Sequence, residues 1–230
     1  IPELNAKTID LGDNSITSTA GFVMAGSTSC NVTTSSQNVG VTVRRFVSRV
    51  ALQKVNNALP ASYGAMTINN VTLINVVGNQ NLAGTATAST WYNKMGRNDG
   101  STTSSHIIDG STYLASHPTL TFKSVESSVA NGVSHTPSTP YLFYTFPNST
   151  ITDVCGWVSP FTARKTRLVV AATISGKKYF YPVVIDTPIR NYAYTVELTI
   201  TGLGSTDPDK PVSKGAINAS VTVEGWATGS

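Results

Sequence analysis

Ala-Ile-Asn-Ala-Ser-Val-Thr-Val-Glu-Gly-Trp, residues 216–226, follows Gly-Leu-Gly-Ser-Thr-Asp-Pro-Asp-Lys-Pro, residues 202–211. The later stretch alternates. Ile217, Ala219, Val221 and Val223 fall on one face and Asn218, Ser220, Thr222 and Glu224 on the other, the period of a strand with one apolar side. The earlier stretch holds two glycines, two prolines and three charges, too long and too mixed for a hairpin turn of roughly two to five residues. It reads as an extended, semi-rigid spacer. A terminal strand on a spacer either folds back on its own sheet or joins a neighbour's.

Upstream, strands are expected over Val39–Val55, Met66–Val77, Thr119–Val125, Tyr141–Phe146, Arg167–Ile174, Lys178–Ile185 and Tyr192–Ile200, with Ser175-Gly176 as a compact hairpin signal. Within Val39–Val55 the apolar parity changes from Val39, Val41 and Val43 to Phe46, Val50 and Leu52, which predicts a bulge or a passage between sheets. Val, Ile, Thr and Tyr dominate the apolar runs, charged residues make up only 12 %, and no segment keeps a helical period. The class is all-β and surface-displayed. A chain of 230 residues accommodates one large β-domain or two of about 100 residues each. The best boundary lies near Gly96–Ser105, where turn residues replace apolar alternation.

The net charge of +4 is dispersed. Arg44-Arg45 with Arg49, and Arg164-Lys165-Arg167, lie at or in strands without aromatic platforms, so a solvated or sheet-edge role is expected and nucleic acid is not a partner. No apolar run approaches the ~20 residues of a membrane helix. The chain begins Ile1-Pro2, which suggests a processed or trimmed product. Cys30 and Cys155 lack metal-ligand or redox spacing and stand either as two unpaired core or strand cysteines or as one disulfide.

Catalytic chemistry finds no support. His106, His117 and His135 show no zinc spacing, and nucleophile elbow, Walker loop and dinucleotide fingerprint are missing. His106 with Asp109 among abundant serines reads as chance. Asp207 and Asp209 around Pro208 read as turn-forming and solvated rather than cation-binding. Trp91-Tyr92, Tyr141 and Trp157 read as packing residues before sugar-lining ones. No catalytic residue, cofactor or metal is assigned.

Five elements of the second half, Thr-Arg-Leu-Val-Val (166–170), Tyr-Phe-Tyr-Pro-Val-Val-Ile (179–185), Ile-Arg-Asn-Tyr-Ala-Tyr-Thr-Val (189–196), the stretch 200–212 and Val-Thr-Val-Glu-Gly-Trp (221–226), occur in an order that resembles the C-terminal domain of Bacteroidales fimbrillins, subunits of type V pili. Phe-Val-Met-Ala-Gly (22–26), Val-Arg-Arg-Phe-Val-Ser-Arg-Val-Ala-Leu (43–52) and Val-Thr-Leu-Ile-Asn-Val (71–76) resemble that family's N-terminal domain. The resemblance implies two transthyretin-like β-sandwich domains, 1–100 and 101–230, with a donor-strand appendage at 212–230. Family members carry further strands before the element matching Phe22–Gly26. The first domain is therefore either trimmed at its N-terminal strands or completed in another way.

The resemblance further implies export through the outer membrane as a lipoprotein precursor, maturation by an arginine-specific protease, and a cell-surface fimbrium of self-polymer and accessory subunits that supports adhesion. Polymerisation would place Ile217, Ala219, Val221, Val223 and Trp226 in a groove of the next subunit, with main-chain bonds giving affinity and alternate side chains giving register. Head-to-tail addition need not close and so grows a filament. Two rivals stand beside this shaft reading. One is a tip or accessory subunit with a binding surface, the other a secreted carbohydrate-binding β-sandwich.

Overall fold

The computed structural model describes residues 2–11, 21–31, 34, 36–84, 87–95, 123–155, 162–213 and 215–226. A helical turn, α1 (Pro2–Ala6), precedes β1 (Thr8–Asp10), β2 (Met24–Ala25), β3 (Arg44–Arg45), β4 (Ser48–Asn57), β5 (Met66–Ile74), β6 (Val76–Val77), β7 (Asn79–Asn81) and β8 (Trp91–Tyr92). Then come β9 (Lys123–Val129), β10 (Ser134–His135), β11 (Tyr141–Thr145), β12 (Arg167–Ile174), β13 (Lys177–Val184), β14 (Tyr192–Ile200) and β15 (Ile217–Gly225). The class is all-β. His106, Asp109, His117, Trp157 and the boundary stretch near Gly96–Ser105 lie outside the described residues.

Two sheets form the sandwich. One runs β10–β4–β14–β15, with β11 following β10 along the same side of β4; the other runs β13–β12–β5–β9. Val50, Leu52 and Val55 of β4 and Val196, Leu198 and Ile200 of β14 share a single buried core with Ile68, Val71 and Leu73 of β5 and Leu168, Val170 and Ala172 of β12. β4 and β5 come from the first hundred residues, yet β4 is flanked by β11 and β14, and β5 by β9 and β12. A boundary at residue 100 would cut both sheets. The β4–β14 pairing is parallel, which no local hairpin can make.

Breaks of parity in the sequence are bulges in the fold. Ile68 and Val71 both point into the core because Asn69 is the extra residue between the partners of Ala171 and Ala172. In β4 the extra residue is Gln53, between the partners of Val196 and Glu197, so the expected switch exists but falls later than residues 43–46. Val39, Val41 and Val43 are not in a strand; they are half-exposed. Ser175 (φ 49°) and Gly176 (φ 77°) join β12 to β13 with Ile174 opposite Lys177, the two-residue hairpin turn that needs positive φ at both positions. On the outer face of β12, Val169 and Ala171 are buried with Ile74, Met95 and Phe180. Burial on both faces explains its uninterrupted apolar run.

Candidate functional site: the terminal strand

Of its two choices, β15 takes the first: all nine residues pair antiparallel with β14 of the same chain, Ile217 opposite Ile200 and Gly225 opposite Tyr192, with no register shift. Trp226 N–H donates to Asn191 O at 2.8 Å and Thr201 N–H donates to Ala216 O at 3.0 Å. Backbone groups alternate sides along a strand. Even-numbered residues therefore turn their backbone toward β14, while Ile217, Ala219, Val221, Val223 and Gly225 turn theirs to the outer edge. That edge pairs with no strand among the described residues.

The side chains of the five expected donor residues are unequal. Ile217, Val221 and Trp226 pack partly against the main core, whereas Ala219 is exposed and Val223 is 50 % exposed. Trp226 is the best held. Its indole stacks on Tyr144 with centroids 5.7 Å apart and planes at 14°, and meets Phe22 edge-on at 5.3 Å. The guanidinium groups of Arg45 and Arg49 lie 4.4 and 5.2 Å from its ring centre, a cation–π arrangement. Arg45 and Arg49 thus fix the end of β15, a role that sequence spacing did not reveal.

The stretch 202–211 is not a free spacer; it crosses to the second sheet and is anchored there. Phe180 N–H donates to Ser205 O at 2.8 Å and Ser205 N–H donates back to Phe180 O at 2.9 Å. Tyr181 Oη donates to Gly202 O at 3.0 Å, and burial pushes that hydroxyl's pKa up. A Cβ on Gly204 would sit 2.6 Å from Phe180 O, so only glycine permits this approach.

Asp209 then enters the interior. Its Oδ2 accepts from Arg164 Nη1 at 2.8 Å, and its Oδ1 accepts from Arg167 Nη1 at 2.7 Å and from Asn75 Nδ2 at 2.9 Å. Arg167 also pairs with Asp153, and its Nη2 lies 3.2 Å from Cys155 Sγ. Burial raises the Asp209 carboxyl above its ordinary value, against the pull of both guanidinium groups and the Asn75 amide. The expectation that these groups are solvated is corrected: Arg164, Arg167 and Asp209 are fully buried. A carboxylate between two guanidiniums satisfies charges that could not be buried singly. Asp207 keeps its expected turn role, its Oδ1 accepting from Asp209 N–H at 2.9 Å. Cys30 and Cys155 are unpaired, in loops and not in the core.

The four sheet edges differ. β9 carries a bulge around Val125 and Glu126, with Glu126 at φ 45°. Between β10 and β11 the edge is broken by Pro137 and Pro140. On β13 the outer edge is occupied by Ser205 at Phe180, and two residues on Pro182 has no N–H to offer on that same side. Those three are blunted in ways that discourage pairing with another chain. β15 has no proline and no bulge, only polar side chains on its solvent face.

No protein-family model matches the sequence, and no curated protein aligns with it. Solved structures do share its fold. A candidate cell adhesion protein from Bacteroides eggerthii superposes with a TM-score of 0.65 at 21 % identity, covering 98 % of this chain and 71 % of that one. A fimbrilin from Porphyromonas gingivalis gives 0.61 at 14 % identity, over 98 % and 75 % of the two chains. A candidate cell adhesion protein from Parabacteroides distasonis gives 0.59 at 17 %, over 98 % and 69 %. The chain has the β-sandwich fold of fimbrilins and of these candidate adhesion proteins.

Proposed function

We propose that this chain is a fimbrillin, a structural and non-catalytic subunit of a cell-surface pilus that grows when β15 leaves its own β14 and completes the sheet of another copy. The observation that carries the reading is the asymmetry of the edges. Three are blunted, while β15 is long, regular and unprotected, and its inward face is only partly covered. A half-buried Val gains on the order of 1 kcal/mol from full burial in a groove, and the same ladder bonds form again in the new partner. Asp209 would keep the base of the connection fixed in the parent subunit while the strand changes partner. The fimbrilin fold supports the assignment, and export as a lipoprotein precursor with arginine-specific maturation belongs to the same proposal.

An acceptor track in this reading is the one β1 now fills. β1 pairs with β7, Ile9 opposite Gln80, and Leu11 is 1 % exposed beside an apolar recess lined by Ile9, Phe22, Phe46 and Phe146. Withdrawing β1 would leave an unpaired edge over an apolar floor, a template for an incoming strand. The test is a reversible lock. Glu197 and Ser220 stand opposite each other on β14 and β15, both exposed. Glu197→Cys with Ser220→Cys, in a background with Cys30 and Cys155 changed to Ser, ties the strand to its own sheet when oxidised. Oxidised protein should stay monomeric and reduced protein should form ladders after removal of residues 1–11. Polymer from the oxidised form would overturn strand exchange.

A further inference from the structure

We infer that the cleft between β7–β8 and the chain leaving β11 is a binding site for an uncharged saccharide. The cleft holds about 290 Å³ and is lined by Gln80, Thr87, Trp91, Pro147, Ser149 and Thr150 among others, with no charged side chain among the described residues of its wall. That volume is at the lower bound of small-molecule sites, the scale of one ring rather than a chain. Gln80 is 8 % exposed, and among the described residues its amide has no hydrogen-bond partner. The amide is not sealed off but reaches the surface of the cleft, so its donor and its acceptor are both open to a bound molecule. A ligand that satisfies this amide must both accept and donate, as vicinal hydroxyls do. Ser149 and Thr150 add hydroxyls on the opposite wall, and Trp91 and Pro147 add an apolar surface for the C–H face of a pyranose.

The walls are preformed. Asn79 Oδ1 accepts from the N–H groups of Ser89 and Thr90, both at 3.0 Å, and its Nδ2 donates to Ser89 Oγ at 2.6 Å. Asn148 Oδ1 accepts from Thr150 N–H at 3.1 Å while its Nδ2 donates to Arg164 O at 2.9 Å. A Cβ on Gly78 would overlap the Tyr92 ring at 2.3 Å, so glycine sets the β6–β8 approach that positions Trp91. Tyr92 therefore packs locally and Tyr141 stacks on His135. Of the described aromatic residues considered for sugar contact (Trp91, Tyr92 and Tyr141), Trp91 lines this cleft.

Saturation-transfer NMR with the methyl glycosides of galactose, mannose, fucose and N-acetylglucosamine tests the site, with triglycine amide as the peptide control. At least one glycoside should receive saturation from the folded protein, and Gln80→Leu should weaken it by about tenfold or more. Circular dichroism checks that variant's fold. Should it not fold, Ser149→Ala with Thr150→Val, changed on the loop wall, should weaken binding in its place. No binding by any glycoside, binding by the peptide alone, or undiminished binding in a folded variant would overturn the inference. The outcome is independent of whether β15 exchanges.

Discussion

Oδ1 of Asp209 lies 2.7 Å from Nη1 of Arg167, with both side chains shut away from water. This pair joins the connection before β15 to the first residue of β12, so a single carboxylate anchors the terminal strand's root to the opposite sheet. Asp209→Ala would leave buried Arg164 without its counter-charge and Arg167 with Asp153 alone. A loss of about 3–5 kcal/mol in urea unfolding is expected. A loss under about 1 kcal/mol would mean that water reaches the cluster.

Backbone parity in β15 makes a prediction at single-residue resolution. Amide hydrogens of Asn218, Ser220, Thr222 and Glu224 face β14 and should exchange slowly, while those of Ala219, Val221 and Val223 face the open edge and should exchange fast. Two-dimensional NMR after transfer to deuterated water reads this directly. Uniformly fast exchange along the strand would show that β15 detaches as a unit, and uniform protection would show that another element covers its edge.

Ile217 and Val221 pack partly against the core at an edge whose removal leaves the inner strands paired. Ile217→Asp combined with Val221→Asp should leave a folded monomer, somewhat less stable, that no longer forms polymer. Size-exclusion chromatography and electron microscopy follow the two properties separately. Filaments from this variant, or a monomer that fails to fold, would remove β15 from the donor role.

His135 ties three strands together. Its ring stacks on Tyr141 at 6.0 Å with planes at 10°, its Nε2 lies 2.9 Å from Tyr141 Oη, and its Nδ1 lies 3.2 Å from Ser127 Oγ of β9. Burial lowers its pKa from the ordinary 6.5. The unfolded chain then binds the proton first as pH falls, so stability is full above about 6.5 and declines as pH drops through that value toward the folded pKa. His135→Gln should flatten this part of the stability–pH curve measured by thermal unfolding. An unchanged curve would assign the slope elsewhere.

Much of this fold could be read from local pattern. The strand Arg167–Ile174 has its expected limits, and Ser175-Gly176 turns as its residues require. The alternation of residues 217–223 marked the terminal strand itself. Less was legible in the connection before it. Asp, Lys, Pro and Gly look alike in a solvated spacer and in a tethered crossing. Only the arrival of Arg164 and Arg167 from another strand turns Asp209 into a buried anchor. Of the Gln80 cleft only Trp91 stood out in the sequence, as an aromatic residue that could line a sugar site; that Gln80, Ser149 and Thr150 meet it there depends on elements far apart in the chain.

What the sequence by itself determined is much of what has a period of two: most of the long strands and which of their side chains share a face, though it began the strand around β4 too early and set its bulge before Gln53. Alternation is a local property, set by the pleat of a single strand. Tertiary structure alone decided the partners. It placed β4 parallel to β14 across most of the chain, interleaved both halves in both sheets, and laid β15 on its own β14 with Trp226 held against Tyr144. Pairing is a contest between distant surfaces for the same edge, and it is won by the summed burial and hydrogen bonding of the whole sandwich.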